Sequence, residues 1–271
     1  MAISINGSNS FSNINSFRND PTQPSERISS GQRINSAADD AAGLAISNRL
    51  TTQQDGFSVA IRNAGDGVSL AQVADGALSS LSGNLQRIRE LALQSANGAL
   101  NDSDRQALQQ EAGQLVEETR SVLERTSFNG VKLFDNESQL NFQTGPNAGD
   151  QISVSANNLL KTLEDGGLND LSVASSSQAS SAISAIDSAL ESINSVASEF
   201  GAVTNRFEST IENLSQAREN TAAANSRIAD ADIAAEATDL IRRQIGNQVD
   251  IAIQAQANSN QKNVLGLLSG I

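Results

Sequence analysis

Ten apolar residues recur at steps of three and four along one stretch: Ile183, Ile186, Leu190, Ile193, Val196, Phe200, Val203, Phe207, Ile211 and Leu214. Their mean step of about 3.4 falls below the 3.6 residues per turn of a straight helix, so such a stripe stays on one face only where helices supercoil left-handedly. Two further stripes share the spacing, Leu78, Leu81, Leu85, Ile88, Ala92 and Leu108, Ala112, Leu115, Thr119, Val122. Three helices with matching seams bury them against one another. The expected fold class is therefore mainly α, a long antiparallel coiled-coil helical bundle.

Local punctuation divides the stripes into elements. Ser36-Ala-Ala-Asp39 reads as a capping box that opens a helix at about residue 37. This helix is expected to reach Asn97-Gly98, where Gly supplies a left-handed end. Glycines 43, 56, 65, 67, 76 and 83 lie inside it, each at roughly 1 kcal/mol relative to Ala. Either close helix approach compensates, or the helix breaks around Asp55-Gly56. Ser103-Asp-Arg-Gln106 opens the next helix, which ends near Thr126, before Asn129-Gly130. Between Phe128 and Val154 the period changes to two, with Leu140/Phe142 and Ile152/Val154 flanking a Gly145–Asp150 loop. One small β-hairpin near 138–155 follows. Residues 164–181, rich in Gly, Asp and Ser, read as a surface connection.

The two ends differ from the middle. Residues 1–30 are polar with scattered Ile3, Ile5, Phe11, Ile14 and Phe17. The last forty residues carry the stripe Ile233, Leu240, Ile241, Ile245, Val249, Ile253, and then Leu265 and Leu268. Nothing nearby in sequence covers this stripe, so its partner is the other terminus or another subunit. Near the N-terminus, Asp20-Pro21-Thr-Gln23 resembles an N-cap with Pro at the first helical position. A break at 18–21, and then a short helix that stops before Gly31, is expected.

Composition removes most other functions. The 271 residues include no His, Cys, Trp or Tyr, which excludes thiolate nucleophiles, Ser-His-Asp triads, structural zinc and haem ligation. Lys and Arg number 18 against 31 Asp and Glu, a net charge of −13, with 3% aromatics. That balance argues against nucleic acid, which is held by basic side chains and stacked rings. No secretory signal peptide is expected at the N-terminus, and no apolar run is long enough to span a membrane. Gly65-Asp-Gly67 lacks the third Gly of a dinucleotide fingerprint and sits in a helical pattern. The acidic pairs Asp39-Asp40 and Glu117-Glu118 point about 100° apart on a helix and cannot share a proton, and they read as solvated faces. Asp165 and Asp170 fit no EF-hand spacing. No enzyme, cofactor or metal site is expected.

Longer strings are more specific. Ser29-Ser-Gly-Gln-Arg-Ile-Asn-Ser-Ala-Ala-Asp-Asp-Ala-Ala-Gly-Leu-Ala-Ile-Ser-Asn-Arg49, Leu85-Gln-Arg-Ile-Arg-Glu-Leu-Ala-Leu-Gln-Ser-Ala-Asn97 and Phe128-Asn-Gly-Val-Lys-Leu133 resemble the N-terminal signature of bacterial flagellins. Asn225-Ser-Arg-Ile-Ala-Asp-Ala-Asp-Ile-Ala-Ala-Glu236, Gln254-Ala-Gln-Ala-Asn258 and Asn263-Val-Leu-Gly-Leu-Leu268 resemble its C-terminal signature. The resemblance covers roughly 27–135 and 180–271.

The resemblance implies a structural subunit of the flagellar filament, exported unfolded and polymerised for motility outside the cell. It implies that residues 1–35 and 232–271 pair as a terminal inner-tube arm, while 36–231 form the helical core with no variable outer domain. Its partners would be other copies of the chain, an export chaperone on the C-terminal arm, the filament cap and hook–filament junction proteins, without nucleic acid or membrane. By resemblance Leu85, Gln86, Arg87, Leu91 and Glu111 form a patch read by Toll-like receptor 5, whereas spacing alone makes Leu85 and Leu91 partly seam residues and Arg87 ordinary helix surface. A hook–filament junction protein or minor flagellin is the alternative, ahead of a coiled-coil secreted effector or adhesin.

Overall fold

The computed structural model describes residues 22–268. The expected break at 18–21 and the cap at Asp20-Pro21 lie outside them. In chain order the elements are α1 (Thr22–Ser30), α2 (Ala41–Ser95), α3 (Asp102–Arg125), β1 (Ser127–Phe128), β2 (Val131–Lys132), β3 (Ser138–Gln143), β4 (Gln151–Ala156), α4 (Leu159–Asp165), α5 (Ser176–Ala229) and α6 (Ile233–Leu268). They fall into two compact units, one built from Met1–Thr52 with Asn220–Ile271 and the other from Gln53–Glu219.

The second unit is the bundle that the seams anticipate. On α5, Ile186, Ile193, Phe200, Phe207 and Leu214 repeat every seven residues and are all buried. A strict heptad of this kind keeps one seam against its partners along a supercoil. Leu78, Leu81, Leu85, Ile88 and Ala92 of α2 are at most 2% exposed, and α3 contributes Ala112, Thr119 and Leu123. The Thr119 hydroxyl is satisfied by the Leu115 carbonyl at 2.7 Å, so it enters the seam without an unmet hydrogen bond. Antiparallel order is visible where Arg89 Nε meets Asp187 Oδ1 at 2.7 Å and where Gly67 faces the Phe207 ring. α2 is continuous through Asp55-Gly56.

Helix ends depart from the sequence reading by a few residues, each for a local reason. The Ser36–Asp39 string forms a turn, in which the Asp39 carboxylate accepts the N–H groups of Asn35 and Ser36. The Ser36 N–H and hydroxyl bonds, and then the Asn35 N–H, hold the Asp39 carboxyl below its ordinary pKa. The cap of α2 is instead Asp40, whose Oδ1 accepts from the Gly43 N–H at 2.8 Å. For α3 the cap is Asn101, accepting from Asp104 N–H at 2.9 Å, two residues before Ser103. Gly98 does not take the left-handed conformation. Arg105 closes the end of α2 instead.

Strand content exceeds the single hairpin. β3 and β4 pair antiparallel with Leu140 opposite Val154 and Phe142 opposite Ile152. A second, shorter hairpin joins β1 to β2 with Phe128 opposite Val131, leaving Asn129-Gly130 as its two-residue loop. Both loop residues have positive φ, +49° and +81°, the requirement of a type I′ turn. The stretch 164–181 is more than a surface connection. α4 precedes it with Leu159, Leu160 and Leu163 buried, and Leu168 and Val173 enter the core.

Candidate functional site

Two surfaces expected from the sequence can be built from their residues. The first begins where the chain ends meet in the first unit. α1 stops at Ser30 because Gly31 takes φ +71° and its N–H closes on the Arg27 carbonyl at 2.9 Å. Gln32 then bridges Asp230 in antiparallel fashion. Arg33 N–H donates to the Ala229 carbonyl at 2.6 Å and Ala231 N–H to the Gly31 carbonyl at 3.0 Å. Asp232 caps α6 by accepting from Ala234 and Ala235 N–H groups. One turn on, Glu236 Oε1 takes Arg27 Nη1 at 3.1 Å. α1 therefore lies antiparallel on the foot of α6.

Beyond that foot most of the C-terminal stripe is exposed among the described residues. Ile233, Ile241, Ile245, Val249 and Ile253 are between 46% and 55% exposed, and Leu240 is half-buried. The side chains of Leu265 and Leu268 lie outside the described residues. Ile251 and Val264, which the sequence stripe leaves out, are also exposed, at 68% and 51%. Regular helices hide such rows of branched side chains, since each buried one is worth ~1.5–3 kcal/mol. A row this long left in water marks an interaction surface.

The second surface lies across α2 and α3. Arg87 Nε and Nη2 reach Glu111 Oε1 at 3.1 and 2.8 Å, and Nη1 reaches Glu90 Oε2 at 2.9 Å. The hydrogen bonds that Arg87 donates to Glu111, and next to Glu90, raise its pKa above the ordinary value. Gln86 is exposed beside it. Leu85 and Leu91 are 0% and 1% exposed and belong to the core, Leu85 as a member of the α2 stripe. The surface patch thus comprises Gln86, Arg87 and Glu111.

Arg105 holds the α2–α3 corner beside this patch. It is 7% exposed and donates to the carbonyls of Ser95, Leu100 and Asn97 at 3.1, 2.8 and 2.8 Å. Its charge rests on the negative end of α2. Among the described residues no group of three His, Cys, Asp or Glu side chains stands close enough to hold a metal ion, and no helix is long and apolar enough to cross a membrane. The groove between β4 and α5, ≈ 320 Å³, is lined by Val154, Phe200, Val203, Glu199 and Arg206. Its Glu199 accepts from the Asn157 amide at 2.7 Å.

Comparison with known proteins identifies the family. The family model for the bacterial flagellin N-terminal helical region matches residues 4–139, and that for the bacterial flagellin C-terminal helical region matches 183–268. Phase 1 flagellin of Salmonella naestved is 44% identical over 142 residues, 52% of this chain and 28% of that protein. Flagellin of Salmonella montevideo is 39% identical over the same coverage. The match therefore spans little more than a quarter of the length of these curated relatives. The crystal structure of Bacillus cereus flagellin is 32% identical, with a TM-score of 0.52 over 56% of this chain and 88% of that one. A putative flagellar hook-associated protein from Vibrio parahaemolyticus shares the fold at a TM-score of 0.59, covering 71% of this chain and 100% of that one at 16% identity. With both of its helical regions matched in order along most of its residues, this chain belongs to the bacterial flagellin family.

Proposed function

We propose that the chain is a structural subunit of a flagellar filament, secreted and assembled outside the cell, with no catalytic role. The observation that carries this reading is the bare row Ile241, Ile245, Val249 and Ile253 on α6, in a family-matched chain whose other apolar seams are buried. Residues 1–35 and 232–271 act as one arm, paired with each other and stacked on the arms of neighbouring copies. The same row is the surface an export chaperone would cover before assembly, and cap and junction proteins would meet the arm at the filament ends.

Seed elongation tests the reading. Purified chain added to short flagellar filament seeds is expected to lengthen them, as measured by electron microscopy. Chain that stays soluble beside competent seeds would exclude it.

A second reading concerns the Gln86–Arg87–Glu111 patch as a contact for Toll-like receptor 5. It is supported by an exposed guanidinium held between Glu90 and Glu111. Arg87→Ala is expected to lower the signal of receptor reporter cells while leaving the thermal unfolding of the monomer unchanged, since exposed ion pairs add little stability. An undiminished signal removes this reading.

A further inference from the structure

We infer that Asn97 is a self-modifying site. Its side-chain amide closes on the Gly98 peptide nitrogen, ammonia leaves, and water opens the cyclic imide mainly to isoaspartate. This goes beyond the filament reading and does not depend on it.

Two Asn-Gly pairs lie in the described residues, Asn97-Gly98 and Asn129-Gly130, and their settings differ. Asn97 is exposed just past the end of α2. Its Oδ1 accepts the Ala99 N–H at 3.1 Å, which folds the amide back over the intervening Gly98 peptide. The Gly98 N–H makes no hydrogen bond among the described residues. A Cβ built on Gly98 meets nothing within 4 Å, so the nitrogen is unobstructed. The carbonyl of the same peptide, that of Asn97, accepts from Arg105 Nη2 at 2.8 Å. At the second pair, neither the Asn129 side chain nor its carbonyl has a donor among the described residues. Asn129 also holds φ +49° in a type I′ turn, a backbone the imide ring cannot share, so closure there must first unmake the β1–β2 hairpin.

Each contact at Asn97 serves one step. Hydroxide removes the Gly98 proton, and the charge is shared between that nitrogen and the Asn97 carbonyl oxygen, where the guanidinium stabilises it. The nitrogen attacks Asn97 Cγ. The oxyanion that forms on Oδ1 already has a preorganised donor in the Ala99 N–H. The bond from Cγ to the amide nitrogen breaks, that nitrogen takes a proton from water and leaves as ammonia, and a five-membered imide remains. Water then adds to an imide carbonyl. Addition at the main-chain carbonyl, the one Arg105 polarises, breaks its bond to the Gly98 nitrogen and leaves isoaspartate. The new α-carboxylate then faces the guanidinium, a charge-assisted pair where a neutral carbonyl stood.

Full-length chain is held in mildly alkaline buffer, either folded or in guanidinium chloride, and then digested with trypsin. Peptides 90–105 and 126–132 report the two sites separately by mass, fragmentation distinguishes Asn97 from Asn101, and chromatography separates isoaspartate from aspartate. In the folded chain Asn97 is expected to react about tenfold faster than Asn129, because its reacting atoms are held together. In denaturant the two should react at like rates. Equal rates in the folded chain, or a faster Asn129, overturn the site. Gly98→Ala, which enters open space, should slow Asn97 with no change in the far-ultraviolet spectrum, and an unslowed Asn97 overturns the imide route. Arg105→Lys should slow closure and lower the isoaspartate fraction at Asn97, whereas a corner that merely loosens would speed closure. An unslowed Arg105→Lys chain overturns the part given to Arg105.

Discussion

Arg105 shows how a single side chain can hold a corner that turn-forming residues normally make. Its three partners are backbone carbonyls, one at the last residue of α2 and two in the α2–α3 connection. Hydrogen bonds from a charged donor are stronger than neutral ones, and losing this donor leaves the carbonyl of buried Ser95 unmet. Arg105→Ala is expected to cost about 2–3 kcal/mol in urea unfolding. Arg105→Lys should fall between, because one ammonium cannot span three carbonyls placed around a planar fork. Sequence reasoning expected Gly98 to end the helix because Asn-Gly commonly does. It had no signal for an Arg ten residues on. Leu85 teaches the converse: its spacing already marked it as seam, and burial removes it, with Leu91, from the surface that Arg87 and Glu111 present.

Along a whole element, the glycines of α2 separate into two kinds that look alike in sequence. A Cβ built on Gly67 would overlap the Phe207 ring, whereas one on Gly65 or Gly76 meets nothing within 4 Å. In a helix interior Ala is favoured over Gly by about 1 kcal/mol, while forcing an extra carbon into a packed seam costs about 1–3 kcal/mol. Gly67→Ala is therefore expected to lower the unfolding free energy, and Gly65→Ala to raise it by up to ~1 kcal/mol, both read from denaturant midpoints. The close approach at Gly67 also seats Phe207 edge-on against Phe142, with ring centroids 5.4 Å apart, tying the β3–β4 hairpin to α5. Hairpin positions were legible through alternation at Leu140, Phe142, Ile152 and Val154. The β1–β2 hairpin was not, because strands of two residues are too short to show a period.

Across the molecule, the division into Met1–Thr52 with Asn220–Ile271 and Gln53–Glu219 allows the unit bearing the bare stripe to be altered while the other keeps its core. Removing residues 232–271 deletes α6 and its exposed row but none of the buried bundle side chains. The truncated chain is expected to keep a cooperative urea transition and helical far-ultraviolet signal, yet to lose all elongation of filament seeds. Loss of the transition itself would mean that the bundle depends on the arm.

The sequence by itself determined the bundle, because a seven-residue apolar repeat leaves a helix only one way to hide its face. It also determined that the C-terminal stripe needs cover, and the family, since long ordered strings are specific where composition is not. Tertiary structure alone decided the cap residues, the burial of Leu168 and Val173, which glycines face a neighbour, and the meeting of Arg27 with Glu236. Each of these depends on residues far apart in the chain, or on competition among nearby caps that geometry resolves. Local propensity carries no information about which side chain a distant helix will bring alongside.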